Sequence, residues 1–308
     1  MIRKDQLPDI WGDDWKCTAP ATRLLSVERG SVSRHVLVDD AVRSLFMIDA
    51  ADGYNAFQAA PNAAIAIAEG AEVELYRLQF GGESDITQLD IAMEAGSKLR
   101  IYTFTLGGRH VRNNVVVRMH GEGCELEAGG LYLVDRDQEC DNYIFIEHAH
   151  PRCTSRVLYK GIVDDSARAR FNGHVLVQDG AVKTEAYMTN RNILLTDKAH
   201  VDTRPFLEIY NDDVKCSHGS TSGQLDEQAK FYLMTRGIGE RTAVTMLSYA
   251  FCDEVIRSIA VERLRDTVGD MVKKRLHGEL TSCADCAIAC KNPCNGPDAH
   301  FEIDPGRL

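Results

Sequence analysis

Three short apolar runs follow one another in the middle of the chain: Tyr143-Ile-Phe-Ile-Glu147, Arg156-Val-Leu-Tyr-Lys160 and His174-Val-Leu-Val-Gln178. Each run is rich in β-branched and aromatic residues, which favour strands, and each is too short for a typical helix. Turn signals at Asp164-Asp165 and Asp179-Gly180 separate or end them. This region therefore predicts a series of short strands joined by tight turns.

The same pattern continues in both directions, from about Ala63 to Tyr210, so strands are expected to dominate about 150 residues. The early turn signals, at Glu69, Ala95 and Gly121, are 26 residues apart, and the later ones, at Asp164, Asp179, Asp197 and Asp212, are 15, 18 and 15 apart. Even spacing of short strands fits an antiparallel sandwich or a β-solenoid whose coils stack in parallel. Two-residue hairpin signals are almost absent, which favours the solenoid.

The period changes to 3.6 residues after Gly223, so the sequence predicts helices over 225–237, 240–259 and 261–276. The third helix carries an apolar stripe opposite its charged residues, formed by Val261, Leu264, Val268 and Val272. Two interpretations remain open for this stripe. It packs on the strands of the same chain, or it forms a docking face for a partner.

Composition limits the classes of function. The chain has 308 residues and a formal charge of −11, which argues against nucleic-acid binding by phosphate neutralisation. No apolar run is long enough to span a membrane, and no signal segment is recognised at the N-terminus, so we expect a cytoplasmic protein. In a reducing compartment, the ten cysteines indicate metal or cluster binding before disulfides.

The common motifs of enzymes are missing. The sequence contains no P-loop, no G-x-G-x-x-G after a strand and no H-E-x-x-H. The segment Gly219-Ser-Thr-Ser-Gly223 has Thr221 where a serine hydrolase needs its nucleophile. We therefore predict that the chain is not itself an enzyme. A carbohydrate-active β-solenoid would need secretion and an acidic face, and the N-terminus gives that class no support.

The segment Val214-Lys-Cys-Ser-His218 is the first candidate for chemistry. Side chains alternate along a strand, so Cys216 and His218 are expected on one face, close enough to share a metal ion or a proton. A thiol beside a cationic imidazole favours the thiolate, which binds iron or carries sulfur. Taken alone the pair is a weak signal, because ordinary core and surface residues give the same spacing.

A longer resemblance surrounds this segment. The stretch from Tyr210-Asn-Asp-Asp-Val-Lys-Cys-Ser-His-Gly to Met234-Thr-Arg-Gly-Ile238 resembles the signature of the SufB/SufD family of the SUF iron–sulfur cluster assembly machinery, and SufD-type members above all. Upstream segments agree at the same spacing, among them Phe171-Asn-Gly, Met188-Thr-Asn and Val201-Asp-Thr-Arg-Pro. The resemblance covers about residues 140–276 and extends more faintly toward residue 60.

The resemblance implies a right-handed parallel β-helix with flanking helices, and a dimer formed through the β-helix ends. It also implies that the C-terminal helices dock a SufC-like ABC ATPase. Such a scaffold receives sulfur from a sulfur donor and builds a transient iron–sulfur cluster at the dimer interface. Cys216 and His218 match the Cys and His of the family's Lys-Cys-Ser-His-Gly motif.

The chain departs from the family at Ala199. The sulfur-accepting cysteine of SufB-type members is aligned just after an Asp-Lys pair, which here is Asp197-Lys198 followed by Ala199 and His200. Alanine cannot accept sulfur, so either a SufB-type paralogue supplies the thiol or a homodimer uses another residue, with Cys216 as first choice. His200 is a further candidate ligand, or an ordinary turn histidine.

The second constellation lies near the C-terminus. Cys283, Cys286, Cys290 and Cys294 have the spacing C-x-x-C-x-x-x-C-x-x-x-C, which lets four thiolates close around one ion or cluster. Zinc sites usually place two Cys pairs farther apart. Disulfides or free thiols are the alternative for these four cysteines.

The residues His148, His150 and Cys153 also have metal-like spacing, but Pro151 interrupts the strand there and favours an ordinary corner of the fold. The remaining cysteines Cys124, Cys140 and Cys252 are expected to be small core residues.

The sequence thus divides into a lead-in at 1–40, a β-helix core at 41–222, a helical subdomain docking the ATPase at 223–280 and a Cys-rich tail at 281–308. The favoured hypothesis is a scaffold for iron–sulfur cluster assembly. The alternative is an iron–sulfur binding or electron-transfer protein, in which the four tail cysteines hold a permanent cluster and the β-helix is support.

Overall fold

The computed structural model describes residues 23–27, 32–39, 44–50, 53–58, 62–79, 85–260 and 262–277. Strands make up the first part of this chain and helices the last. The strands are β1 (Arg23–Val27), β2 (Val32–Asp39), β3 (Ser44–Ala50), β4 (Gly53–Gln58), β5 (Asn62–Ile67), β6 (Glu72–Gln79), β7 (Asp85–Met93), β8 (Lys98–Thr105), β9 (His110–Met119), β10 (Glu125–Val134), β11 (Glu139–His148), β12 (Thr154–Val163), β13 (Arg168–Val177), β14 (Glu185–Leu194), β15 (His200–Ile209) and β16 (Lys215–Gly223). The helices are α1 (Glu227–Thr235), α2 (Glu240–Ile256) and α3 (Glu262–His277).

The strands form two sheets that the chain visits in turn. One sheet has the order β1-β5-β7-β9-β11-β13-β15, and the other has the order β16-β14-β12-β10-β8-β6-β2-β3-β4. Within β5–β16 every pairing is parallel and joins strands two apart in sequence, so each of these coils contributes one strand to each sheet; β1 and β2 pair in parallel with β5 and β6. The fold is a parallel β-helix, which confirms the solenoid prediction over the sandwich.

The turns stack at the corners of the coils. Gly70, Gly96, Gly123, Arg152 and Lys183 have positive φ angles, between 57° and 72°, and occupy one corner of successive coils. The backbone N–H of each donates to a carbonyl of the next coil, as Gly96 does to Glu122 at 2.8 Å. The 26-residue intervals in the sequence therefore measure a whole coil, and the 15-residue intervals measure half of one.

The β-helix interior is a continuous apolar core. It contains fully buried side chains from both sheets, such as Leu75, Ile91, Ile146 and Phe171. Cys124, Cys140 and Cys153 are buried within it, as expected for Cys124 and Cys140. Burial of this apolar surface stabilises the stack at about 25 cal/mol per Å².

The helices α2 and α3 cover the outer face of the second sheet. Their apolar residues, including Cys252, form a second core with Tyr102, Phe104, Leu131 and Ile162 of the strands. Two buried cations fix them there. Lys160 of β12 contacts Glu254 at 2.5 Å and donates to the Phe251 carbonyl at 2.8 Å, and Arg275 of α3 contacts Asp135 at 2.6 Å.

The apolar stripe of α3 packs on its own chain. Val268 and Val272 are fully buried in this second core, so the interpretation of these two residues as an exposed docking face is corrected. Their position is explained by the exposed aromatic and aliphatic surface that the second sheet would otherwise leave in water. Val261 lies outside the described residues, and so does the side chain of Leu264.

Two features differ from the sequence-based expectation. The strands β1 and β2 lie within residues 1–40, so the sheets begin inside the segment expected to be a lead-in. The strands β3 and β4 form an antiparallel extension at the edge beside β2, and the Asp52-Gly53 dipeptide in the sequence is a hairpin signal for it that the solenoid prediction did not use. None of the described helices is long and apolar enough to cross a membrane.

Candidate functional site

The last coil, formed by β15 and β16, leaves both sheets open. Each of these strands has a hydrogen-bonded neighbour on one side, β13 and β14 respectively, and is the terminal strand of its sheet. An uncovered terminal strand presents unpaired backbone N–H and C=O groups to another chain. We call this surface the open end. It contains the segment that the sequence singled out.

Cys216 and His218 lie in the interior columns of the β-helix, at its open end. Cys216 pairs in register with Ala186, and His218 pairs with Met188, and both of these neighbours are buried. Because no further coil follows β16 among the residues that the structure describes, Cys216 is half-buried and His218 is exposed. The prediction that the two side chains share a face is confirmed.

The environment of Cys216 favours the thiol. Burial raises the pKa of Cys216 above its ordinary value, and a hydrogen bond from the Ala186 backbone opposes that shift only in part. The causes of this shift are burial and the Ala186 backbone, and a neighbouring imidazole is not among them in this chain. A second cationic group or a metal ion would have to come from outside to produce the thiolate.

His200 begins β15 and lies in a different column. Its register partners are Arg168 and, one coil further, Glu139, and all three side chains are exposed on the outer face. Ala199, which precedes it, is buried in the core. Among the residues that the structure describes, no three His, Cys, Asp or Glu side chains come together as a metal site. One chain therefore provides Cys216 and His218 and not a complete ligand set.

Exposed apolar side chains surround the open end, and the sequence did not single them out. Phe206 of β15 is 52% exposed, and Ile209 and Tyr210 follow it at the same end. The helix α1, which follows β16, buries none of its residues and exposes Phe231 and Tyr232. The signal was available in the sequence as apolar residues outside a closed core, but only the position of the last coil shows that they are uncovered.

A polar column leads through the interior to this end. Tyr132 donates to the Asn192 amide oxygen, and Asn192 donates to Asn190 at 2.7 Å and to Ser222 of β16 at 3.4 Å. Gly161 is required between them, because a Cβ there would lie 2.1 Å from the Tyr132 ring. These residues fix the position of the last coil and were not predicted from sequence.

The remaining candidates take different roles. Cys283, Cys286, Cys290 and Cys294 lie outside the described residues. His148 points into the core, where its Nε2 lies 2.8 Å from the Ser155 hydroxyl, and Cys153 lies 3.3 Å from the Gly121 carbonyl. The corner interpretation of the His148–Cys153 segment therefore agrees with the structure.

Comparison with known proteins gives a consistent family. The family model for the SUF system FeS cluster assembly SufBD core domain matches residues 24–251. The chain is 42% identical over 177 residues to the iron-sulfur cluster assembly protein SufD of Escherichia coli, a match that covers 58% of this chain and 42% of that protein.

Two further relatives carry the family name. An iron-sulfur cluster assembly SufBD family protein of Mycobacterium leprae is 40% identical over 176 residues, covering 54% of this chain and 45% of the relative. One of Synechocystis is 34% identical over 224 residues, covering 72% and 47%. The chain thus matches less than half the length of these relatives. The matched residues include both sheets, the open end and most of α2, so the chain belongs to the SufBD core family of the SUF system of iron–sulfur cluster assembly, and within it is SufD-like.

Proposed function

We propose that this chain is a scaffold subunit for iron–sulfur cluster assembly, which pairs through its open end with a SufB-type paralogue or a second copy. The observation that carries the proposal is the last described coil, whose two strands carry Cys216 and His218 as well as the exposed Phe206. The iron and sulfide are the cargo of this scaffold, supplied by an iron source and a sulfur donor.

The backbone of the last coil supports pairing. Both terminal strands carry unpaired edges, and a partner strand would satisfy them and cover Phe206 and Ile209 at the same time. Thr203 donates to Ser220 at 2.9 Å and ties β15 to β16, so the two edges are presented together.

The incomplete ligand set also supports pairing. Cys216 and His218 are soft and borderline ligands suited to iron–sulfur chemistry, and neither has two further ligands near it in the described chain. A partner at the open end would bring its own ligands to the same place. The same arrangement accounts for Ala199, because the sulfur-accepting thiol would then belong to the partner.

Pairing is tested by one substitution at the open end and one matched control. Phe206→Asp places a charge on the proposed interface, and Ile86→Asp places one on β7 of the same sheet, where Ile86 is 45% exposed. Sedimentation velocity of the chain, alone and co-expressed with a SufB-type paralogue, should show loss of the pair only for Phe206→Asp. Equal behaviour of the two variants would contradict pairing at the open end.

We further propose that the helical subdomain docks a SufC-like ABC ATPase through the outer face of α3. Because Val268 and Val272 are buried, the available surface is formed by exposed charged residues: Asp266, Asp270 and Lys274. The double variant Asp266→Lys/Asp270→Lys should lose the ATPase in co-purification, while Asp179→Lys at an exposed corner should retain it. Retention by both variants would exclude this face.

The alternative function is that of an iron–sulfur binding or electron-transfer protein, in which the Cys-rich tail at 281–308 holds a permanent cluster. It rests on the spacing of Cys283, Cys286, Cys290 and Cys294. Anaerobic reconstitution of the variant with serine at all four positions, followed by Mössbauer spectroscopy, separates the two functions. Loss of all iron would favour the electron-transfer alternative, and retention of iron would favour the scaffold.

A further inference from the structure

An open cleft lies on the outer face of the sheet that contains β11, β13 and β15. Its volume is about 430 Å³, and its lining residues include Tyr143, Arg170, Asn172, His174, Arg204 and Phe206. They point away from the interior, because Phe171 and Val175, which alternate with them on β13, are buried in the core. Pockets of about 300–1,000 Å³ hold small organic ligands, so the cleft is large enough for one.

Two arginines form one side of this cleft, and each keeps a free donor. Arg204 contacts Asp202 through Nε at 3.1 Å and through Nη2 at 2.8 Å. Arg170 Nη1 lies 3.4 Å from the Asp141 carboxylate and 3.4 Å from the Tyr143 hydroxyl. The Nε atom of Arg170 lies 3.9 Å from Asp202. Among the residues that the structure describes, none hydrogen-bonds to Nη1 of Arg204 or Nη2 of Arg170, so two guanidinium donors remain available to a ligand.

Positive charge exceeds negative charge around these arginines. Arg112 also contacts Asp141, at 3.0 Å, so three guanidinium groups share the two carboxylates of Asp141 and Asp202. This cluster of described residues has one positive charge in excess, although the whole chain carries −11. The cleft is therefore suited to an anion and not to a cation.

The opposite side of the cleft is aromatic and uncharged. Phe206 is 52% exposed, and its ring makes an edge contact with His174, with 4.9 Å between the ring centroids. His174 is held between the rings of Phe206 and Phe145, and its Nε2 lies 3.1 Å from Glu208. Burial lowers the pKa of His174, although Glu208 opposes this shift, so the imidazole is neutral near neutral pH. The Phe206 ring is thus fixed at one edge, and the rest of its surface is available to a ligand.

We propose that this cleft binds a small organic anion in which a carboxylate or phosphate group is attached to a flat ring. The anionic group accepts hydrogen bonds from the free Nη atoms of Arg170 and Arg204, because guanidinium groups match the oxygens of carboxylates and phosphates. The ring of the ligand lies against Phe206, where it gains stacking and removes apolar surface from water. Asn172, in register with Arg204, lies on the floor between the two sides.

The cleft is separate from the proposed cluster site. Cys216 and His218 lie on β16, in the interior columns of the other sheet, whereas the cleft lies on the outer face of this one. All of its lining residues belong to one chain, so binding is expected without a pairing partner. The inference therefore holds or fails independently of assembly at the open end.

The test is the binding of para-fluorobenzoate and para-fluorophenyl phosphate to the full chain, followed by fluorine NMR line broadening at low ionic strength. At least one of the two anions should saturate a single site per chain, and the tighter of them identifies the anionic group. The neutral analogue para-fluorobenzamide should bind about tenfold more weakly, because it lacks the charge. Arg204→Gln should weaken binding of the anion by about tenfold for the same reason.

The matched control is Arg156→Gln, which removes an exposed arginine from β12 of the other sheet and should leave the affinity unchanged. The Arg204 side chain is 71% exposed, so its substitution is compatible with folding, and circular dichroism checks each variant. The proposal is overturned if neither anion binds, if the neutral amide binds as tightly as the anions, or if Arg204→Gln and Arg156→Gln have equal effects.

Discussion

The same column of one sheet is closed in the middle of the β-helix and open at its last coil. Phe145, His174 and Phe206 are in register on β11, β13 and β15, and their exposed fractions are 3%, 4% and 52%. Their rings form edge contacts in series, Phe145 with His174 and His174 with Phe206. The three residues therefore occupy equivalent positions in successive coils, and Phe206 is exposed because no described strand follows β15 in its sheet.

The interior columns show the same difference. Ala186 and Met188 of β14 are buried, whereas their partners on β16, Cys216 and His218, are half-buried and exposed. A solenoid needs a cap or a partner at each end, because every coil buries its faces against its neighbours. The middle coils thus bury most of the apolar surface, and the last described coil exposes the surface that we propose for assembly.

The largest expected effect comes from truncating the two phenylalanines of this column. Phe145→Ala should lower the free energy of unfolding by about 3–5 kcal/mol, because it leaves a cavity among packed neighbours. Phe206→Ala should change it by about 0.5 kcal/mol or less, since the ring is half in water. Urea unfolding followed by circular dichroism measures both, and similar losses would contradict the contrast between the coils.

A second contrast concerns ion pairs. Arg275→Met removes the cation that pairs with buried Asp135 and also bonds to the Leu106 carbonyl, and it should cost about 3–5 kcal/mol. Lys215→Met removes the exposed pair with Glu185 at 3.0 Å in the last coil and should cost far less than Arg275→Met, because solvent screens the pair. Thermal unfolding of both variants provides the comparison. A larger loss for Lys215→Met would show that the last coil is not the weakly packed region.

A third, smaller effect is a dependence of stability on pH. Burial lowers the pKa of His148 to about 4, below its ordinary 6.5, so the unfolded chain binds a proton more readily than the folded chain does. Stability from this group is complete above its ordinary pKa and is lost as the pH falls toward 4. Between pH 7 and pH 5 the loss should be about 2 kcal/mol.

The control for this prediction is His148→Gln, which keeps a polar group beside Ser155 and cannot titrate. The difference between the free energies of unfolding in urea at pH 7 and at pH 5 should be smaller for His148→Gln than for the wild type. An unchanged pH dependence would mean that His148 is not the group responsible.

Much of the fold could be predicted from the sequence, because each coil of the β-helix is formed by residues that are close together in the chain. Corner residues such as Gly70 and Gly96 mark successive coils; their spacing fitted a sandwich or a solenoid, and the scarcity of two-residue hairpin signals favoured the solenoid. The helices also followed their periodicity, with α2 starting at Glu240 as expected. The pairing of β3 with β4 was missed, although the Asp52-Gly53 dipeptide between the two strands is a local hairpin signal.

The site was predictable in part. Alternation along β16 predicted that Cys216 and His218 share a face. The raised pKa of Cys216 was not predictable, because its burial against the preceding coil is a property of the stack. The burial of Val268 and Val272 settled a choice that the helical pattern leaves open, since an apolar stripe looks the same whether it packs on its own chain or on a partner.

The most direct test of the open end as the assembly site is the iron and acid-labile sulfide content of the anaerobically purified complex with its pairing partner. The four-serine tail variant should retain both, and adding Cys216→Ser should remove them while the pair itself persists in sedimentation. The account is contradicted if the tail substitutions alone remove the iron and Cys216→Ser in an otherwise native chain leaves it unchanged.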